Sequence, residues 1–386
     1  MIEKTIYLDN NATTKVDEKV LEAMLPYFSI YYGNPSSIHT FGGQVAKEIE
    51  NARLKVAHLI GAEPSEIIFT SGGTESDNAA ILSALETQPN KRHIITTKVE
   101  HPAVLSLCKV LKNKGYNITY LSVDNEGQID LNELKNSITS QTALITIMWA
   151  NNETGVIFPI EEISKIALEK EVLFHTDAVQ AIGKIKIDLS KININFLSAS
   201  GHKFHAPKGI GFLYIKKGTR FNPFIIGGHQ EFGRRAGTYN VPGIIGLGKA
   251  AELAEENLEL ENTRVKYLRD KLEKEIVEQI KDVKINGGKS PRTPNTLNVS
   301  FKYIEGESIL LLLNEYNIAA SSGSACTTGS LEPSHVLRAM GVPSEVIHGS
   351  IRFSLSKYTT EEEINFTIEK LKIIIKRLRE ISPFTQ

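Results

Sequence analysis

The chain has 386 residues, 41% of them hydrophobic and 23% charged, which is enough apolar material for a large core and rules out a disordered or collagen-like chain. Lys plus Arg number 44 against 45 Asp plus Glu, a formal charge of −1, so no overall field draws it to nucleic acid or to an acidic membrane. Two cysteines, Cys108 and Cys326, are too few for a disulfide framework or a thiolate zinc site.

At roughly 100–200 residues per domain the length suggests two domains. No apolar run approaches the roughly 18 residues of a membrane span. The first residues lack the apolar stretch and small-residue cleavage site of a signal peptide. A reducing cytoplasm is therefore the expected location, and the expected ligand is a small molecule or a protein.

Along the chain, Val45, Ile49, Ala52, Val56 and Leu59 recur at spacings of four and three, which predicts a helix over 44–60 with Gly61 capping its C-terminus. Runs rich in β-branched and aromatic residues follow at 66–70, 93–97, 118–123, 143–149, 172–176, 196–200 and 210–215. Several are almost continuously apolar, as strands covered on both faces are, and most are separated by enough residues for a helix. The fold class read from this is α/β with a largely parallel sheet, whose ligands gather beyond the carboxyl ends of the strands. After about residue 244 the texture changes. A long charged helix carries Val265, Leu268, Leu272 and Ile276 on one face, a strand is predicted at 296–301, and a last helix carries Ile364, Ile368, Leu371, Ile375 and Leu378. Thr360 and Glu363 form a capping box ahead of that helix. This last third reads as a smaller α+β domain, with the boundary inside the long helix.

Three strand ends carry chemistry-bearing residues. Ser71, Gly72, Gly73 and Thr74 follow one strand and lead into a helix, an arrangement that forms an anion cup or, more simply, a glycine turn with a threonine cap. Asp177 ends an apolar run, where a carboxylate needs a cationic or hydrogen-bonding partner, or else caps the next structure. Lys203 follows another run, among Ser200, His202 and His205, where a lysine that loses its proton becomes a nucleophile able to form a Schiff base. Together the three suggest pyridoxal phosphate, with one residue for the aldehyde, one for the ring nitrogen and one group for the phosphate. Cys108 shares a helical apolar face with Val104, Leu107 and Leu111 and reads as a buried, inert thiol. Cys326 lies in a run of small polar residues, where an accessible thiol can act as a nucleophile.

These residues lie within longer motifs: Tyr7-Leu8-Asp9-Asn10-Asn11-Ala12-Thr13-Thr14, Gly33-Asn34-Pro35-Ser36-Ser37, Gly73-Thr74-Glu75-Ser76, Glu100-His101 and Asn151-Asn152-Glu153-Thr154-Gly155. Further along come Gly233-Arg234-Arg235-Ala236-Gly237-Thr238 and Ser350-Ile351-Arg352-Phe353-Ser354. Over nearly its whole length the chain resembles the cysteine desulfurases of the NifS/IscS type, in the class V aminotransferase family. The resemblance implies a pyridoxal-phosphate-dependent transferase of fold type I. Its large cofactor domain, with a mainly parallel seven-stranded sheet, would span 16–260, and 1–15 with 261–386 would form the small domain carrying the cysteine loop.

It further implies that Lys203 is the Schiff-base lysine, that Asp177 partners the pyridine nitrogen and that Gln180 bonds the ring hydroxyl. His101 would stack on the ring and assist proton transfer. Thr74, Ser200 and His202 would hold the phosphate, with Thr238 reaching in from the second subunit of a homodimer. Asn152 and Arg352 would bind the substrate carboxylate, and Cys326 would receive sulfur from L-cysteine as a persulfide. No resident metal is implied, although an iron–sulfur cluster could meet Cys326 in transit. Implied acceptors are a scaffold of the IscU/NifU type or another sulfur-accepting protein, serving iron–sulfur cluster assembly or other sulfur trafficking. Selenocysteine cleavage and transamination are the alternative reactions of the same family.

Overall fold

The computed structural model describes residues 5–322 and 333–383. Its twelve strands, in chain order, are β1 (Ile6–Tyr7), β2 (Ile67–Thr70), β3 (His93–Thr97), β4 (Asn117–Leu121), β5 (Thr142–Thr146), β6 (Leu173–Asp177), β7 (Phe196–Ser200), β8 (Gly211–Ile215), β9 (Val283–Ile285), β10 (Thr296–Phe301), β11 (Ile318–Ala319) and β12 (Ser350–Ser354). Seven of them form one sheet in the order β2-β8-β7-β6-β5-β3-β4. All neighbours in it are parallel except β8, which runs antiparallel to both β2 and β7. The predicted runs at 93–97 and 196–200 match β3 and β7 residue for residue. The run at 143–149 is longer than β5, because Ile147 and Trp149 continue beside β6 through bonds to the His175 and Asp177 carbonyls, without a regular ladder.

Alternation along these strands explains their apolar continuity. Ile67 and Phe69 of β2, Leu197 of β7 and Phe212 of β8 face one core, which also contains Val45, Ile49 and Val56. Ile68, Phe196 and Leu213 face the other side, against Ala80, Ala84 and Cys108. β2, β7 and β8 each bury both faces, so neither face needs a polar stripe. Cys108 is fully buried, as its place on an apolar helix face predicts. The helix Thr40–Leu59 starts earlier than its hydrophobic spacing indicates, because the His39 ring accepts the Gly42 N–H at 3.1 Å, a cap of an uncommon residue type. It ends at Gly61, with φ of +65°, where bonds from the Gly61 and Ala62 amides to the His58 and Ala57 carbonyls close the last turn.

A separate apolar cluster joins Leu8, Val265, Leu268, Leu272, Ile276, Val299, Phe353, Ile364 and Leu371 around the antiparallel sheet β12-β10-β9. The helix Val241–Glu256 packs into the first core and Lys266–Gln279 into this one, with a π-helical turn at Glu261–Val265 between them. The final helix, Glu361–Ile381, begins with the predicted reciprocal Thr360–Glu363 cap. No helix among the described residues is long and apolar enough to cross a membrane.

One buried ion pair fixes the approach to Thr238. Arg53, 1% exposed, makes two parallel bonds to Glu231, at 2.7 and 2.8 Å, and Glu231 also accepts the Phe69 N–H at 2.8 Å. Glu231 and Phe232 both have positive φ, 48° and 59°, a strain that persists only where such contacts over-determine the turn. Arg53→Ala leaves the Glu231 carboxylate buried without its cation, so the expected loss of stability is about 3–5 kcal/mol. Denaturant unfolding checks this, and a loss below about 1 kcal/mol would contradict it.

Candidate active site

The parallel strands of the large sheet end along one edge, and the residues that follow them line a cavity of about 380 Å³. After β2 the chain turns at Gly72, with φ of +151°, into the helix Gly73–Glu86. A Cβ on Gly73 would lie 2.8 Å from the Val179 side chain, and one on Gly211 would lie 2.7 Å from Gly72 Cα. Glycine at these positions lets the helix start against the sheet. Gly73 and Thr74 line the cavity, where the first amides of a helix lack acceptors of their own.

After β3 comes His101, which caps the helix Pro102–Asn113. Its Nδ1 accepts the Ala103 N–H at 3.1 Å, so the neutral ring carries its proton on Nε2. β6 ends in Asp177, which is 6% exposed and accepts the Val179 N–H at 2.9 Å. Burial, and then the neighbouring Asp77, hold the Asp177 carboxyl well above the usual carboxylate range. Asp77 is itself buried and pushed up to about 7, and its Oδ1 has no hydrogen-bond partner among the described residues. The nearby His175, 3.5 Å away, is pushed down to about 4 by burial and stays neutral. Two buried carboxyls with no lysine or arginine paired to them among the described residues are a costly arrangement that a positively charged ligand group would relieve.

β7 leads through Ser200 to His202 and Lys203. The Lys203 Nζ donates to the Asn11 and Ala12 carbonyls at 2.6 and 2.9 Å. Burial, then the charge of Lys203, push the His202 imidazole down to about 4. From β12, Arg352 donates from Nη1 to the Asn152 carbonyl at 3.0 Å and from Nη2 to Asp9 at 2.7 Å. Its buried Nε has no partner among the described residues. The site fits pyridoxal phosphate, with a helix start and hydroxyls for a phosphate, an amine for an aldehyde and a buried carboxyl for a protonated ring nitrogen.

Of the residues singled out from the sequence, Thr74, His101, Asn152, Asp177, Gln180, Ser200, His202, Lys203 and Arg352 line this one cavity. Thr238 does not; it is exposed in the segment before the helix Val241–Glu256. Cys326 lies outside the described residues. Two residues past that stretch, Ser334 donates to Glu153 Oε2 at 2.5 Å, and Ser321, two residues ahead of it, pairs with Arg352 on β12. Sequence reasoning gave no role to Asn11, Asp77 or Lys184. For Lys184 the sequence signal is weak, since it stands between Ile182 and Ile185 but Lys186 follows in the same run. Asn11 acts through its main-chain carbonyl, which no residue type reveals.

The class-V aminotransferase family matches residues 6–366. A cysteine desulfurase of Trichormus azollae is 62% identical over 98% of this chain and 95% of that protein. The cysteine desulfurase NifS of Azotobacter vinelandii is 56% identical over 98% of this chain and 94% of that protein. Among solved structures, a NifS-like protein superposes with a TM-score of 0.91 at 43% identity, covering 97% of this chain and all of that one. The NifS-like protein of Rickettsia africae superposes with a TM-score of 0.87 at 33% identity, again over 97% of this chain. With its cavity at the strand ends and relatives matched over nearly their whole length, the chain belongs to the class-V aminotransferase family, among the cysteine desulfurases of the NifS type.

Proposed function

We propose that this protein takes sulfur from L-cysteine, releases L-alanine and leaves the sulfur on Cys326 as a persulfide for an acceptor protein. The observation that carries this reading is a single cavity bordered by Lys203, Asp177 and Arg352 in a chain that also holds Cys326. The family depends on pyridoxal phosphate. When bound, that group supplies an electron sink for the pair released at the substrate Cα.

Lys203 would hold its aldehyde carbon, Asp177 its ring nitrogen, Gln180 its ring hydroxyl and His101 its ring face. Thr74, Ser200 and His202 would hold its phosphate, with Thr238 contributed by a partner subunit. Support for such a partner comes from large apolar side chains left in solvent, Phe28, Ile30, Tyr32 and Ile38 in one stretch and Ile226 and Phe232 shortly before Thr238.

The work of the chain's own residues follows from their surroundings. Arg352, held in place by Asn152 and Asp9, binds the substrate carboxylate, and the rigid guanidinium fork sets its orientation. Lys203 takes the Cα proton. Asp177, desolvated and beside Asp77, would favour the protonated form of a bound ring nitrogen, because ion pairing there would relieve its own burial. The Cys326 thiolate bonds to the substrate sulfur as the Cβ–S bond breaks. Two thiols and a methylene become one persulfide and one methyl, so the exchange needs no outside oxidant or reductant. The sulfur then passes to a scaffold of the IscU/NifU type or another acceptor, for iron–sulfur cluster assembly in the cytoplasm.

The assignment of Lys203 is tested by reducing the protein with borohydride in the presence of pyridoxal phosphate and mapping the peptides. The expected result is a pyridoxyl group on Lys203. A modified lysine elsewhere, or none, would contradict it.

A further inference from the structure

Lys184 does not line the active-site cavity, yet it is 6% exposed, and an amine so deeply buried, pushed down to about 7 by burial and then by the charge of Lys203, must be matched by partners. Its Nζ donates to Gln180 Oε1 at 2.6 Å and to Asn11 Oδ1 at 3.3 Å. The Lys184 Nζ donates here and the Asn11 main-chain carbonyl can only accept, so the two contacts together set which way the Gln180 amide faces. With Oε1 on Lys184, the Gln180 Nε2 turns to the Asn11 main-chain carbonyl, 3.0 Å away. The Lys203 Nζ rests on that same carbonyl at 2.6 Å.

Asn11 is pinned on its other sides. Asn295 donates to its Oδ1 at 3.0 Å, and its own Nδ2 reaches Thr296 Oγ1 at 2.8 Å and the Asn152 carbonyl at 3.1 Å. We propose that Lys184 is a positioning residue for the reaction, which orients Gln180 and holds Asn11 so that their contacts fix the resting place of Lys203. The inference rests on the reading of Lys203 as the cofactor-bearing lysine.

A purely structural role has a different basis. Lys184 and the buried Glu261 border one small cavity, together with Lys203, and the attraction between Lys184 and Glu261 could serve packing alone. That contribution would not depend on Gln180, whereas positioning through Gln180 would.

A double-mutant cycle separates the two roles, because residues that act through each other are non-additive. The proteins are the wild type, Lys184→Met, Gln180→Leu and the double variant. The readouts are the dissociation constant of pyridoxal phosphate, followed by the visible absorbance of the holoenzyme, and kcat and KM for L-cysteine. Lys184→Met is expected to weaken cofactor binding and lower kcat by about tenfold each, the usual scale of coupling between hydrogen-bonded neighbours. KM should move by less than about twofold. In the Gln180→Leu background the same change should cost less than about twofold.

Equal losses in the two backgrounds, or unchanged cofactor affinity and kcat, would overturn the inference. Should Lys184→Met fail to fold, the same cycle is read with Lys184→Gln, which is shorter and keeps a donor at its end without the charge. Failure of the wild type to bind pyridoxal phosphate would sink the functional reading itself. Wild-type binding with additive losses would sink the role of Lys184 alone.

Discussion

A Lys203→Ala variant is expected to form no measurable alanine from L-cysteine. Lys203 brings the one amine that lines the active-site cavity among the described residues, and its Nζ is already placed there by the Asn11 and Ala12 carbonyls. Losing a positioned proton-transfer group alone costs on the order of 10²–10⁴ in rate, and the variant also loses the nucleophile that would hold the cofactor. Lys184, which borders a neighbouring small cavity together with Lys203, is engaged with Gln180 and Asn11. Alanine measured over many enzyme equivalents of L-cysteine checks this. A rate within tenfold of wild type would remove Lys203 from the chemistry.

Cys326→Ala is expected to abolish sulfur transfer while the visible absorbance of the bound cofactor persists. The second cysteine cannot stand in. Cys108 is fully buried, and burial pushes its thiol up to about 12, so that at pH 7 roughly one molecule in 10⁵ carries the thiolate that attacks sulfur. Cys108→Ala is therefore the matched control and should keep sulfur transfer. Undiminished transfer of sulfur from L-cysteine by Cys326→Ala would exclude the persulfide step and favour selenocysteine cleavage or transamination at the same site.

Residues whose type announces their chemistry were legible in the sequence. Asp177, Lys203 and the Gly72–Gly73 turn each follow an apolar run, and buried parallel strands make such runs conspicuous. β3 and β7 were readable to the residue because their bounds coincide with changes in hydrophobicity. What escaped depends on atoms that sequence patterns do not encode. Asn11 supports Lys203 through a main-chain carbonyl, and Arg53 meets Glu231 across 178 positions. Thr238 is a further kind of case. It faces solvent in the single chain, and its suggested phosphate contact requires a second copy.

The most direct test of the central claim is an anaerobic single-turnover experiment with L-cysteine, in which alanine and protein-bound sulfur are counted together. The account predicts equal amounts of each, with the sulfur on the peptide containing Cys326. Pyruvate in place of alanine, or alanine without sulfur on Cys326, would contradict it.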